Sequence, residues 1–333
     1  MIETDGLFDI QVNGFAGVDF NDPSITAENL DTALEAMRRT GVTLCLPTLI
    51  TADEADLRQR ILALDAAVSA SRLGPQMVPG YHVEGPFLNP SDGFRGCHPE
   101  AAMRDPDATL YQRLGAGLFR PILLVTLAPE RPGSVAAIRA LRNAGICVAI
   151  AHSDASIAQV RAAAEAGLTL ATHLGNGLPR TLHKTENALL GQLAEPGLTA
   201  CFIADGHHLS PEALGAMLRI KGVERSILVS DAVLGAAAPA GRYWFAGMEV
   251  ERDAAGVVRQ PGASHLAGSA LELDAAVRNV VGWGLATTEQ AIAMASDHPR
   301  RAMAEAAKAH GVTLPLGRVR WSDDLHPVDV SLD

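Results

Sequence analysis

Four side chains that could bind a metal ion or move a proton stand at the ends of apolar segments of this sequence. They are Glu84, His152, His173 and Asp231. Two imidazoles and one carboxylate form a three-ligand set for Zn²⁺ or a similar divalent cation and leave a fourth position for water. Because a bound cation lowers the pKa of such a water towards neutrality, Asp231 could accept its proton as a general base. These residue types therefore predict metal-assisted hydrolysis.

Each of these residues also has an ordinary structural interpretation. A single histidine at a strand end is more often hydrogen-bonded than metal-bound, and a single aspartate there often caps the next helix. Glu84, which precedes Gly85-Pro86, could simply end its strand. Their co-occurrence at four separate strand ends favours the metal site. The histidines without such a setting receive the structural interpretation: His265, His298, His310 and His326.

Apolar, strand-like runs alternate with helical patterns along most of the chain. The runs cover 7–12, 43–48, 77–83, 121–127, 146–151, 168–172, 199–204 and 226–229. Repeated strand–helix units predict an α/β fold, and eight of them in 333 residues predict a (β/α)8 barrel of the TIM type. Active sites of such barrels lie at the carboxyl ends of the strands, where the four residues stand. An open doubly wound sheet is the alternative, because periodicity alone does not separate the two.

The predicted barrel domain, with its C-terminal helices, extends over residues 1–310. Within it, Asp22-Pro23-Ser24 is a helix-start signal for a helix that runs to about Arg39. Residues 243–260 have the pattern of a hairpin with 252–256 as its turn. We interpret residues 311–333 as a short tail rather than a second domain.

The composition excludes several classes of function. With 27 Lys and Arg against 38 Asp and Glu, the net charge is −11, which disfavours nucleic acid as a partner. No apolar run reaches the roughly 18–20 residues that span a bilayer, so no membrane partner is expected. The acidic N-terminus lacks the basic start of a signal peptide, and the four cysteines form no C-x-x-C pair. We therefore expect a cytoplasmic enzyme with free thiols.

A series of motifs in one order resembles the N-acetylglucosamine-6-phosphate deacetylase family of the amidohydrolase superfamily. The resemblance extends from about Phe8 to Ala306. It implies a metal-dependent hydrolase that removes the acetyl group from an N-acetyl amino sugar, in the first place N-acetylglucosamine 6-phosphate or a close relative, and releases acetate. The motifs are Asp9-Ile10-Gln11-Val12-Asn13-Gly14, His82-Val83-Glu84-Gly85-Pro86-Phe87, Thr126-Leu127-Ala128-Pro129-Glu130, Ala151-His152-Ser153, Thr172-His173-Leu174-Gly175-Asn176, Ile203-Ala204-Asp205-Gly206-His207-His208, Val229-Ser230-Asp231-Ala232, Leu266-Ala267-Gly268-Ser269 and Ala276-Val277-Arg278-Asn279.

This resemblance assigns roles to individual residues. It implies that Glu84, His152 and His173 bind one divalent metal ion, expected to be Zn²⁺ with Fe²⁺, Co²⁺ or Mn²⁺ as alternatives, and that Asp231 is the catalytic acid and base. It further implies a homodimer. The substrate contacts that it implies are His98, Asn176, the backbone of Gly177, and His208.

Two amide residues take the place of a second metal site. Many members of the superfamily carry His-x-His near the first strand, whereas this sequence has Gln11-Val12-Asn13. Amides are poor ligands for Zn²⁺. We therefore predict one metal ion and not two.

Three departures from the family pattern bear on the expected substrate. The small β-sandwich that accompanies the barrel in the family should be absent or reduced to a remnant in the tail. Gly175 stands where the family has an aromatic residue, which should open space near the metal. The family's phosphate-binding arginine, supplied by a neighbouring subunit, is missing, and Arg180 or Lys184 could replace its charge.

These departures leave two alternatives to the phosphorylated sugar. One is an amidohydrolase that acts on an unphosphorylated N-acyl sugar or another small N-acyl compound. The other is a non-catalytic, sugar-binding relative. The retention of Glu84, His152, His173 and Asp231 argues against a pure binding protein, which has no need of a general base.

Overall fold

The computed structural model describes residues 2–263 and 265–332. Its strands are, in chain order, β1 (Ile2–Asp5), β2 (Leu7–Val12), β3 (Gly14–Phe15), β4 (Val18–Asp19), β5 (Val42–Ile50), β6 (Tyr81–Glu84), β7 (Ile122–Leu127), β8 (Cys147–Ile150), β9 (Leu170–Ala171), β10 (Thr199–Phe202), β11 (Ser226–Leu228), β12 (Gly241–Phe245), β13 (Met248–Arg252), β14 (Val258–Arg259), β15 (Arg318–Trp321) and β16 (Pro327–Ser331).

Helices follow most of the barrel strands and form an outer layer. They are α1 (Ala27–Arg39), α2 (Glu54–Ala70), α3 (Gly74–Met77), α4 (Ala108–Gly115), α5 (Ser134–Asn143), α6 (Ile157–Ala166), α7 (Ala188–Ala194), α8 (Pro211–Lys221), α9 (Leu273–Gly282), α10 (Thr288–Ala295) and α11 (Asp297–Ala309). Within residues 2–263 and 265–332, no helix combines the length and the apolar character needed to cross a membrane.

Eight parallel strands form a nearly closed barrel. Their order is β2-β5-β6-β7-β8-β9-β10-β11. The two outer strands of this ladder meet just beyond β11, where the N–H of Asp231 donates to the carbonyl of Gln11 at 2.9 Å and Val12 pairs with Ala232. Every residue of β2, β5 and β7 is buried, because helices cover one face of the sheet and the barrel core the other. The predicted (β/α)8 architecture is confirmed.

The first helix begins later than the sequence pattern predicts. Asp22 accepts hydrogen bonds from the N–H and the hydroxyl of Ser24, at 2.8 and 2.7 Å, so its carboxylate closes a local turn. The cap of α1 is instead Thr26, whose hydroxyl accepts from the N–H of Asn29 at 3.2 Å. The start predicted at 22–24 is therefore wrong by a few residues.

A three-stranded meander replaces the predicted single hairpin at 243–260. Strands β12, β13 and β14 pair antiparallel in that order. The first turn lies at Ala246-Gly247, where both residues have positive φ, as a tight hairpin turn requires. Residues 253–256, within the predicted turn, form the second connection instead. Phe245 on this meander packs with Ile50 and Val233 at the mouth of the barrel.

A second small sheet joins the two ends of the described chain. Strand β1 pairs with β15, which pairs with β16. Trp321 is fully buried there, and its indole N–H donates to the hydroxyl of Thr4 at 2.8 Å. The accessory sheet is thus small, as expected, but it draws a strand from residues 2–5 as well as two from the tail.

Candidate active site

A cavity of about 250 Å³ opens at the carboxyl ends of the barrel strands. It brings together residues that lie far apart in the sequence. Five of the lining residues have buried side chains, and we call them the inner wall: Glu84, His98, His152, His173 and Asp231. Four others are half-buried, and we call them the outer wall: Gly175, Asn176, Gly177 and His208. The strand-end residues predicted from the sequence therefore share one cavity.

Glu84, the last residue of β6, is the centre of the inner wall. Its Oε1 lies 3.0 Å from Nε2 of His173 and 3.5 Å from Nε2 of His152. Burial alone would raise the pKa of Glu84, but hydrogen bonds from His152 and His173 and the nearby imidazoles hold it well below its usual range. Glu84 is therefore an ionised carboxylate surrounded by nitrogen donors.

His98 lies closer to this cluster than the sequence suggests. Its Nε2 is 3.9 Å from Oε2 of Glu84, and ligand atoms of Glu84, His98 and His152 all lie within 4.8 Å of one another. The hydroxyl of Thr51 donates to the carbonyl of Glu84, so the 2.9 Å contact between Thr51 and Nδ1 of His98 requires that Nδ1 be the donor. Burial lowers the pKa of His98 to about 3, which leaves a neutral ring with the Nε2 lone pair facing Glu84.

The two predicted histidine ligands are oriented by their surroundings. Nδ1 of His152 lies 2.6 Å from the carbonyl of Phe94, an acceptor, so Nδ1 carries a proton and Nε2 faces the carboxylate of Glu84. Burial lowers the pKa of His173, but the hydrogen bond and charge of Glu84 outweigh it and the net shift is upward. Nδ1 of His173 is buried and has no hydrogen-bond partner among the residues that the structure describes.

This donor set fits a divalent cation. A buried carboxylate with imidazole nitrogens on several sides is the chemistry that binds Zn²⁺ and similar ions. Nε2 of His173 and Oε1 of Glu84 lie 3.0 Å apart, and both atoms could instead bind a cation placed beside them. The residues present are therefore able to hold the metal ion expected from the sequence.

Three of these residues have strained backbones. His152, His173 and Asp231 have φ values of +50°, +31° and +48°, in the left-handed region that non-glycine residues rarely adopt. Each lies just past the end of a barrel strand. Such strain costs about 1–3 kcal/mol per residue and persists only where the surrounding contacts over-determine the conformation. Strain of this kind favours a functional role for all three.

Asp231 faces the cluster from the far side of the barrel. Asn13 Nδ2 donates to its Oδ1 at 2.8 Å, while backbone hydrogen bonds to Gln11 and Ser269 hold its peptide groups. Burial raises the pKa of Asp231 to about 6, and the carboxylate of Glu84 contributes in the same direction. A carboxylate with such a pKa can accept and return a proton near neutral pH.

The two amides at the predicted second-metal position are hydrogen-bond donors to the site. Gln11 Nε2 lies 3.4 Å from Oε2 of Glu84, and Asn13 donates to Asp231. They thus supply directed N–H groups to the carboxylates. That a second metal is absent in solution stays a prediction.

The outer wall is built from loops rather than strand ends. Asn176 Nδ2 donates to the carbonyl of His173 at 3.1 Å, which fixes this loop to the inner wall. His208 is held by Asp205, whose Oδ2 lies 2.6 Å from Nδ1 of His208 and whose Oδ1 accepts the N–H of His208 at 2.8 Å. Although burial opposes it, hydrogen bonding to His208 lowers the pKa of Asp205.

The space expected beside Gly175 is occupied. A Cβ atom on Gly175 would lie 2.9 Å from Cδ2 of Leu209 and 3.3 Å from Cε of Met217. The expectation of an opening near the metal is therefore wrong, because these two side chains fill the volume. Gly177 has a different constraint, since a Cβ there would lie 2.6 Å from Nδ1 of His152.

The cationic residues proposed for a substrate phosphate lie outside the cavity. Arg180 and Lys184 are exposed on the loop that follows the outer wall. Within the described residues, no lysine or arginine lines the cavity.

His265, for which the sequence predicts only a structural role, does line the cavity, as do Asn13 and Phe245. No sequence signal marks His265, because its approach depends on the meander.

Comparison with known proteins gives a consistent result. The model of the amidohydrolase family matches residues 4–320. The N-acetylgalactosamine-6-phosphate deacetylase of Escherichia coli O157:H7 is 36% identical over 293 residues, which cover 88% of this chain and 76% of that protein. The N-acetylglucosamine-6-phosphate deacetylase of Bos taurus is 34% identical, with coverage of 88% and 72%. The crystal structure of N-acetyl-D-glucosamine-6-phosphate deacetylase from Mycobacterium smegmatis superposes with a TM-score of 0.86 at 30% identity, covering 99% of this chain and 86% of that one.

Proposed function

Because this chain belongs to the amidohydrolase family, and within it to the N-acetylglucosamine-6-phosphate deacetylases, we propose that it hydrolyses the amide of an N-acetyl amino-sugar 6-phosphate. The products are acetate and the amino-sugar 6-phosphate with a free amine. The observation that carries this proposal is the position of Asp231, which faces the Glu84–histidine cluster across one buried cavity. A binding protein would have no use for a proton-accepting carboxylate in that place.

Glu84, His152 and His173 hold the cation in this proposal. Both histidine Nε2 atoms lie nearest to the same carboxylate oxygen, Oε1, whereas His98 is nearest to Oε2 at a longer distance. We therefore assign His98 to the substrate side. Zn²⁺ suits two imidazoles and one carboxylate best, and Fe²⁺, Co²⁺ and Mn²⁺ accept the same donors.

Asp231 is the group that moves the proton. When bound, the cation supplies Lewis acidity towards the amide carbonyl and the attacking water. The carboxylate of Asp231 accepts the proton of that water as it attacks and then donates it to the leaving nitrogen, because an amine does not leave as an anion. Asn13 keeps the carboxylate in place through its 2.8 Å hydrogen bond.

The outer wall binds the sugar phosphate. Asn176, the N–H of Gly177, and His208 offer hydrogen bonds to it. Because the cationic side chains of Arg180 and Lys184 lie outside their own cavity, we propose a homodimer in which the loop 180–187 of one copy approaches the cavity of the other.

A deacetylation panel tests the proposal. The metal content of the purified protein is measured first. The protein is then assayed for acetate release from N-acetylglucosamine 6-phosphate, N-acetylgalactosamine 6-phosphate and the two corresponding unphosphorylated sugars. We expect about one cation per chain and a clear preference for the phosphorylated pair.

Each of the other outcomes has a defined meaning. Equal or better release from the unphosphorylated sugars would support the alternative substrate class, which the absence of lysine and arginine from the described cavity wall favours. Sugar binding without acetate release from any of the four compounds would overturn the enzymatic proposal.

A further inference from the structure

Glu130 is a carboxylate that the proposed reaction does not use. It stands three residues after β7, in the motif Thr126–Glu130, and does not line the cavity. Its Oε1 accepts hydrogen bonds from Nδ2 of Asn89 at 2.9 Å and from the N–H of Asp154 at 2.7 Å. Its Oε2 accepts from the hydroxyl of Ser153 at 2.6 Å. One side chain thus joins the loops that follow three successive barrel strands.

These three donors surround His152. Ser153 and Asp154 follow it directly in the chain, and the N–H of Asn89 donates to the carbonyl of His152 at 3.0 Å. Glu130 is therefore bound both to the residues after His152 and to the residue that holds the His152 carbonyl. Through these hydrogen bonds Glu130 restrains the backbone on both sides of His152 without contacting the imidazole.

His152 needs such support because its backbone is strained. A φ of +50° is unfavourable for a residue with a Cβ atom, and the local chain would relax if its neighbours released it. Rotation of this backbone would swing the imidazole away from Glu84. The residues that hold a ligand in place commonly affect metal affinity by about 10–100-fold.

We propose that Glu130 is a positioning residue that sets the cation affinity of the site by holding His152 in its strained conformation. The inference rests on the proposed cation site. It goes beyond that site, because it assigns a function to a carboxylate that touches neither the cation ligands' imidazoles nor the substrate cavity. The expected chemistry of Glu130 is that of a hydrogen-bond acceptor alone.

Asp65 provides a matched control at the opposite end of the barrel. Its carboxylate also accepts three hydrogen bonds, from the hydroxyl of Tyr81 at 2.7 Å and from the N–H groups of Phe119 and Arg120 at 2.7 and 3.0 Å. It too joins separate segments of the chain. Asp65→Ala therefore removes a comparable structural clamp without a connection to His152.

The experiment measures cation dissociation constants of the wild type, Glu130→Ala, Glu130→Gln and Asp65→Ala by competition with a chromophoric Zn²⁺ chelator. Melting temperatures of the metal-free proteins are recorded in parallel. We expect Glu130→Ala to weaken Zn²⁺ binding about 10–100-fold, Glu130→Gln to weaken it less, and Asp65→Ala to lower the melting temperature with wild-type affinity. Acetate release by Glu130→Ala should recover as Zn²⁺ is raised.

The other possible results distinguish a failure of the role proposed for Glu130 from a failure of the proposed cation site. Wild-type Zn²⁺ affinity in both Glu130 variants would overturn the role of Glu130, and so would equal losses of affinity in Glu130→Ala and Asp65→Ala. If Glu130→Ala does not fold, the isosteric Glu130→Gln and the milder Ser153→Ala decide by the same measurement. Absence of Zn²⁺ binding by the wild type would instead overturn the proposed cation site.

Discussion

The two walls of the cavity are built in different ways. Residues of the inner wall are buried, and all but His98 stand at or just after the ends of strands. Three of them have strained backbones held by several hydrogen bonds. The outer wall is half-buried and consists of loop residues, two of them glycines. From this difference we infer that the capacity for hydrolysis belongs to the barrel, whereas the choice of substrate belongs to the loops above it.

Loss of a cation ligand should have the largest effect. We expect His173→Asn to remove the bound cation and acetate release together, because it deletes the nitrogen that lies 3.0 Å from Glu84. His98→Asn should keep the cation and raise KM about tenfold, because we assign His98 to the substrate side of the site. Metal analysis of both purified variants checks this, and loss of the cation from His98→Asn would make His98 a ligand.

Loss of the proton carrier should come next. Asp231→Asn should retain the cation and lower kcat by about 10³-fold, because an amide cannot accept the proton of water. The near-isosteric side chain preserves the volume beside Asn13. Steady-state kinetics with parallel metal analysis checks the expectation, and kcat within a few-fold of wild type would exclude Asp231 as the base.

The pH dependence should report the same carboxylate. A base must be ionised to act, so activity that depends on Asp231 is present above its pKa and lost as the pH falls through it. Burial raises that pKa to about 6, and a nearby cation would lower it. We expect the pH profile of kcat to show an apparent pKa of about 6 or lower, and kcat to fall about tenfold for each pH unit below it. A limb well above pH 7 would point to another group.

Asp205→Asn, which acts on the outer wall through His208, should affect substrate binding instead of chemistry. The carboxylate of Asp205 holds His208 through two hydrogen bonds, and an amide would leave the ring less firmly oriented. We expect KM for the phosphorylated sugar to rise about tenfold while kcat changes little. The unphosphorylated sugar serves as the control, since a similar rise for both substrates would separate His208 from phosphate recognition.

The smallest effect is expected for Lys184→Ala. Lys184 is exposed in its own chain, and a single solvated charge contributes little to binding. We expect at most a few-fold rise in KM, confined to protein concentrations at which light scattering finds a dimer. A rise that persists in a demonstrated monomer would contradict the contribution of a second copy.

Most of the inner wall follows from the sequence for a simple physical reason. The barrel strands are continuous apolar runs, so a polar residue that ends one of them, such as Glu84 or Asp231, must lie at the carboxyl end where the other strand ends converge. The family resemblance then adds roles that residue types alone leave open. The fold and the candidate metal ligands can therefore both be predicted from the sequence.

The remaining features depend on contacts between distant segments. Leu209 and Met217 fill the volume beside Gly175, and nothing in the sequence around Gly175 indicates this. The approach of His98 to Glu84 likewise depends on Thr51, which orients its ring from another loop. The single hairpin predicted at 243–260 is wrong because the chain turns at Ala246, whose positive φ is a conformation that alanine rarely adopts.

In the small sheet of β1, β15 and β16, Asp5 pairs with Arg318 and Arg318 pairs with Ser331, so Asp5 and Ser331 lie two strand spacings apart, about 10 Å. Because β1 leads directly into the amino end of β2, this sheet lies at the base of the barrel, opposite the cavity. A tether attached to this sheet would therefore leave the mouth of the cavity facing the solution.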